Sequence, residues 1–161
     1  SETYTVKRVL ERASGASDEA FAKAFIKDVI KSRKLYKGSG NPTLFTTEDM
    51  LTNMLLIEDK NERVVYDTVE KLKTALRVSD IVTVGPMEGA NRKDETYQYN
   101  LLGVLVNMRD YNVGADKGGN VNMFDDFDID YNAQKYLIET RCSGALIKPY
   151  SAIAFEIKAA A

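Results

Sequence analysis

Two runs of alternating apolar and polar positions lie in the last third of the chain, at residues 134–142 and 151–157, around a segment broken by Ser143, Gly144 and Pro149. A period of two marks a strand with one face covered, so both runs are predicted strands joined through a turn-rich segment. In the first, Tyr136, Ile138 and Thr140 share one face and Leu137, Glu139 and Arg141 the other, and the charged pair predicts a strand packed on one side only. In the second, Ile153, Phe155 and Ile157 alternate with Ala152, Ala154 and Glu156, as in a core-facing strand backed by small residues. Residues 131–156 are thus expected to organise the fold.

Upstream the period changes. Residues 3–10 alternate weakly as a strand, and Ser14-Gly15-Ala16-Ser17 breaks the chain. Ser17 before Asp18 and Glu19 is a capping hydroxyl followed by acids at the positive end of a helix dipole. Phe21, Ala22, Phe25, Ile26, Val29 and Ile30 then form a wide apolar face over about four turns, with Lys27, Lys31, Arg33 and Lys34 gathering toward the C-terminal end. This cluster reads as a solvated helix end rather than a nucleic-acid stripe. A short strand at residues 43–46 leads to a helix whose start, Thr46-x-x-Asp49, imitates a capping box, with Met50, Leu51, Met54 and Leu55 inward as core filling. A polar turn at residues 59–63, a helix over 67–77 with Val69, Leu72 and Leu76 inward, and a strand at 81–84 stopped by Gly85-Pro86 follow. Residues 87–98 are expected to form a polar loop, and 99–107 a strand covered on both faces. Helices and strands without regular alternation predict an α+β fold, a mixed β-sheet flanked by helices, rather than a doubly wound one.

Composition narrows the functions. At 161 residues, 44% apolar and 29% charged, the chain is expected to be a single domain, 1–161. A net charge of -2 gives no bias toward nucleic acid. The absence of histidine removes Ser-His-Asp and Cys-His catalysis and His-ligated zinc. Cys142, the single cysteine, permits no internal disulfide and is expected to be a small buried strand residue. No run approaches the ~20 apolar residues of a membrane-spanning helix.

The inviting chemistry is acidic: Asp110, Asp116, Asp125, Asp126, Asp128 and Asp130. Asp126-x-Asp128-x-Asp130 imitates the start of a calcium loop, but Tyr131 stands where glycine is needed and Leu137 where the bidentate glutamate should be. If residues 124–129 are extended, the three aspartates share a face opposite Phe127 and Ile129, as on a solvated edge strand whose charges discourage edge pairing. The glycine-rich stretch 113–119 lacks both phosphate-binding patterns. No catalytic, cofactor-binding or metal residues and no cofactor are assigned.

In order along the chain stand Leu55-Leu56-Ile57-Glu58-Asp59-Lys60, Leu102-Gly103-Val104-Leu105-Val106-Asn107, Asp110-Tyr111-Asn112-Val113-Gly114, and then Asp130-Tyr131-Asn132, Leu137-Ile138-Glu139-Thr140-Arg141, Ser143-Gly144-Ala145 and Lys148-Pro149. This series resembles the C-terminal part of tailed-bacteriophage major capsid proteins, from about Asp18 onward. The resemblance implies the axial domain of that capsid fold plus its C-terminal return strands. The N-terminal arm, extended loop and spine helix of full-length members have no counterpart before Ser17, so a fragment or a reduced relative is expected. The implied function is that of a major capsid subunit, no enzyme, which self-assembles in pentamers and hexamers into an icosahedral shell around phage DNA. A scaffold protein would assist, without specific DNA recognition or membrane contact, in the cytoplasm of a host bacterium. The loops 87–98, with Arg92, Lys93 and Asp94, and 110–124 are the expected subunit contacts. An encapsulin-like compartment shell is the alternative, and a carboxylate-dependent hydrolase the enzyme alternative; the latter requires aspartates of 110–130 drawn into a concave site with one carboxyl pushed up.

Overall fold

The computed structural model describes residues 4–115 and 122–158. In chain order its elements are β1 (Thr5–Leu10), α1 (Asp18–Ser32), β2 (Thr43–Thr46), α2 (Glu48–Leu55), α3 (Val69–Leu76), β3 (Ile81–Thr83), β4 (Asn91–Lys93), β5 (Gln98–Val106), β6 (Tyr111–Ala115), β7 (Asn122–Asp128), β8 (Ala133–Glu139), β9 (Cys142–Leu146) and β10 (Ala152–Lys158). They form two units: a larger one that runs to Asp110 and resumes at Leu146, and a smaller one, Tyr111–Ala145.

The larger unit is a mixed six-stranded sheet in the order β1-β10-β5-β2-β3, with β4 pairing a different stretch of β5. β10 runs parallel to β1 and antiparallel to β5, and β2 runs antiparallel to β5 and parallel to β3. Register places Val6, Ile153, Leu105, Leu44 and Ile81 side by side across five strands. This apolar row meets the helices in one core with Phe21, Phe25, Val29, Met50, Met54, Leu72, Leu76 and Phe155. Phe25 and Phe155 meet edge to face with ring centroids 5.5 Å apart. Gly103, opposite Phe155, lets the Phe45 carbonyl approach closely: a Cβ there would lie 3.0 Å from that oxygen and in ordinary contact, 3.5 Å, with the Phe25 ring.

The helices begin where hydroxyls can cap them. The Ser17 hydroxyl accepts from the Ala20 N–H, Thr47 from Met50 and Thr68 from Lys71. The cap of α2 is therefore Thr47, one residue later than the Thr46-x-x-Asp49 spacing predicts, because Thr46 is committed to β2 and its hydroxyl donates to the Leu102 carbonyl. α3 ends at Arg77, which turns left-handed (φ 56°) and satisfies the last carbonyls through its own N–H. Along α1 the apolar face narrows toward the end, leaving Ile30 exposed.

Three expectations are corrected. Residues 87–98 are not a loop throughout: β4 inside them pairs with Gln98, Tyr99 and Asn100 of β5. Residues 110–124 are not a loop throughout either, since 111–115 are β6 and β7 begins at Asn122. Asp116 and the glycines at 118 and 119 lie outside the described residues. Finally, Ser143 and Gly144 belong to strand β9 rather than to a turn, because Gly144 leaves room for the Tyr111 ring, which a Cβ would meet.

Candidate interaction surface

The smaller unit is organised by the antiparallel pairing of β7 and β8, with Met123 opposite Ile138, Phe124 opposite Leu137, Asp125 opposite Tyr136 and Asp126 opposite Lys135. The four-residue turn between the strands closes through Asn132, which takes the positive φ (47°) that asparagine tolerates, and through Asp128, whose carboxylate accepts from the Asp130 N–H. Alternation puts Met123, Phe127, Tyr136 and Ile138 on one face and Phe124 and Leu137 on the other. Both faces stand open: Met123 is 69% exposed, Ile138 67%, Leu137 59% and Phe124 54%, and at the turn Ile129 is 83% exposed. The one-sided packing expected of residues 134–142 is thus replaced by a hairpin bare on both sides. Glu139 and Arg141 satisfy each other at 3.1 Å instead of marking a solvent face above a core. Cys142, expected to be buried, is exposed at the start of β9.

Where the chain leaves and re-enters the larger unit, a polar clamp forms. Asp110 is 1% exposed and accepts from the Ser39 N–H (2.5 Å) and hydroxyl (2.6 Å), with Lys148 Nζ 3.4 Å away. Lys148 also donates to Ser39, and the Ile147 N–H donates to the Asp110 carbonyl at 2.9 Å. Burial, the largest influence, pushes the Asp110 carboxyl up, but the Ser39 and Lys148 hydrogen bonds together outweigh it and hold it below the usual carboxylate range.

Asp110 is in this clamp, whereas Asp128 pairs with Lys135 on the hairpin, which lowers its pKa. A carboxyl acid would need the opposite shift. Among the described residues no group of three or more metal-ligating side chains forms.

Of the expected contact residues, Arg92 is engaged within its own sheet. Its guanidinium donates three times to Glu156, at 2.8, 3.0 and 2.7 Å, and stacks 4.2 Å from the Tyr99 ring centroid. Glu156 is only 6% exposed. Nothing in the local sequence marks this pair, 64 positions apart; it depends on the β4–β5–β10 register. Lys93 and Asp94 are exposed beside it.

The larger unit also carries two depressions along the outward side of α1. One, of about 350 Å³, is lined by Arg8, Lys31, Ser32, Lys34 and Leu35. The other, of about 260 Å³, has Ile26, Ile30, Ile57 and Val65 between Lys23 and Lys27. Arg8 is neutralised by Asp28 at 2.6 Å, while Lys27, Lys31 and Lys34 are exposed and have no carboxylate partner among the described residues.

A mixed sheet packed against helices, with a smaller unit inserted between Asp110 and Leu146, defines an α+β fold. The chain is similar to a chain in the crystal structure of the virus-like particle from Pyrococcus furiosus, at 14% identity and a TM-score of 0.54. The match covers 96% of this chain and 57% of that one, so this chain spans little more than half of the neighbour's length. No family model and no curated protein matches the sequence. The likeness establishes an α+β fold shared with that virus-like-particle chain, a coarser statement than the tailed-phage resemblance of the sequence.

Proposed function

We propose that the chain is a structural, shell-forming subunit that associates with copies of itself, and that the β7–β8 hairpin is part of its contact surface. One observation carries the reading: apolar side chains stand exposed on both faces of a two-stranded ribbon. An isolated two-stranded hairpin is marginally stable in water, and contiguous exposed apolar surface of this kind is characteristic of interaction sites. The shell-protein fold supports the same reading. The ordered motifs from Leu55 to Pro149 favour a tailed-phage major capsid subunit within that class, with a role that is structural rather than catalytic. Lys93 and Asp94, exposed next to the sheet, are the remaining candidates from the expected contact loop.

Expression of the intact reading frame, followed by sedimentation and electron microscopy, tests this. Closed particles of uniform size are expected. Packaged DNA inside them supports the phage assignment, and enclosed enzyme the encapsulin-like one. A monodisperse monomer in the presence of its scaffold partner overturns the reading.

A further inference from the structure

Arg33 lies half-buried in the short helical turn that continues α1, and its guanidinium is poorly compensated. Nη1 is buried without a hydrogen-bond partner among the described residues, and Nη2 reaches only the Asn41 side-chain oxygen, at 3.4 Å. The guanidinium carbon stands 5.3 Å from the Tyr36 ring centroid. No carboxylate among the described residues pairs with it: in the neighbouring segments Asp80 is held by Lys73 at 3.0 Å, and Asp110 by Ser39 and Lys148. A second arginine arrives instead. The Pro42 carbonyl, next to Asn41, accepts from the Ser79 N–H at 2.9 Å, which brings the end of α3 and Arg77 to this place. Arg77 is exposed and also has no carboxylate partner among the described residues. Burial, the largest influence, and the charge of Arg77 push the Arg33 pKa below its ordinary value.

Two features separate this pair from a solvated helix end. A desolvated charge costs free energy unless it is paired, and here a like charge stands beside it. Arg77 also occupies the left-handed cap of α3 (φ 56°), where glycine would be free of strain, so what the position gains from arginine is the side chain. Lys31 and Lys34, exposed on the outward side of α1, carry neither mark.

We infer that Arg33, Arg77 and the Asn41 amide form a binding site for a phosphate group. Two guanidiniums offer two positive charges and forked donors that match phosphate oxygens, whereas a single carboxylate would balance only one of them. With its oxygen turned to Arg33, the Asn41 amide has its N–H groups left to donate. The site goes beyond the shell reading and does not depend on self-association, so the two fail separately.

The test uses the intact protein, expressed from its full reading frame, with inorganic phosphate as the probe in isothermal titration calorimetry at low ionic strength. One phosphate per chain is expected, displaced by sulfate and not by chloride at equal ionic strength. Arg33→Gln and Arg77→Asn are each expected to weaken binding at least about tenfold, and K31A/K34A to leave it within about twofold. Circular dichroism checks the fold of each variant. Asparagine tolerates the left-handed cap, so Arg77→Asn decides alone if Arg33→Gln fails to fold. A duplex DNA oligonucleotide that displaces the phosphate identifies a phosphodiester backbone as its source, and one that does not assigns the site to free phosphate. Absence of saturable binding at millimolar phosphate overturns the proposal. Equal weakening by K31A/K34A overturns it in favour of general attraction to a basic surface. Binding unchanged in both arginine variants overturns it as well; if particle formation is lost at the same time, the arginines serve a carboxylate of a neighbouring copy instead.

Discussion

Arg92→Ala is the substitution whose cost can be worked most directly from the structure. The side chain gives Glu156 three hydrogen bonds of 2.7 to 3.0 Å and covers the Tyr99 ring, and Glu156 has almost no access to water of its own. Truncation leaves a buried carboxylate unpaired, for which fully buried pairs lose ~3–5 kcal/mol. The Arg92 side chain is itself 36% exposed, so water enters the vacated space and the loss falls to about 2–3 kcal/mol. The lost cation–π contact adds ~0.5 kcal/mol. For a chain of this size, about 3 kcal/mol lowers Tm by roughly 6–12 °C. Thermal and urea unfolding followed by circular dichroism measures it, with Arg92→Lys expected to fall between the two because it keeps the charge but loses the bidentate fork. Replacing both partners, Arg92→Leu with Glu156→Leu, is expected to restore most of the loss. A Tm for Arg92→Ala within about 2 °C of the unaltered chain would refute the reasoning. The consequence for assembly is direct: Arg92→Glu sets a second carboxylate against Glu156 and is expected to destabilise the subunit more than Arg92→Ala, so a loss of particles by that variant does not report on a contact.

Other outcomes follow from the same structure. Combined reversal of exposed Lys93 and Asp94 is expected to leave Tm unchanged and to impair particle formation in the intact protein, seen by electron microscopy; normal particles would exclude them as contacts. Asp110→Ala removes the acceptor for Ser39 and Lys148 and is expected to cost about 1–3 kcal/mol in urea unfolding. Because the folded Asp110 carboxyl titrates below its unfolded value, its contribution is present above about pH 4 and is lost as the pH falls through the lowered folded value. Asp110→Asn is expected to flatten that acid limb, and an unchanged limb would show that other groups set it. Phe25→Ala opens a cavity beside Phe155 and is expected to cost ~3–5 kcal/mol, and Gly103→Val is expected to destabilise through its clash with the Phe45 carbonyl, both read by urea titration.

Much of the larger unit was legible in the sequence because its signals are local. A hydroxyl before a periodic apolar face located the start of α1, apolar spacing placed α3 to within two residues at each end, and the run at 43–46 is β2 as expected. The alternation of Ile153 and Phe155 correctly marked a core strand, which pairs with both β1 and β5. What escaped depends on partners distant in sequence. Nothing near Arg92 announces Glu156, and nothing near Asp110 announces Ser39 and Lys148. In residues 134–139 the alternation correctly indicated a strand but misled about burial, because period two reports which residues share a face and not whether that face is covered within the chain. The exposed Met123, Tyr136 and Ile138 have the composition of a core face without a core beneath them. That mismatch between pattern and burial was the available signal for an interaction surface.

The backbone hydrogen bond from Ile147 to Asp110 holds together the two chain positions between which the smaller unit is inserted. For the sheet of the larger unit, all of residues 111–145 amount to a single excursion that starts and finishes at one place, and the entropy of closing such an excursion grows only logarithmically with its length. Exchanging it for a longer or shorter sequence therefore changes folding free energy little, about 0.6 kcal/mol for each doubling. The sheet can remain constant while this segment diverges, so that related chains could keep one scaffold and differ in what they bind, and a foreign peptide could be carried between Asp110 and Leu146 without rebuilding the core.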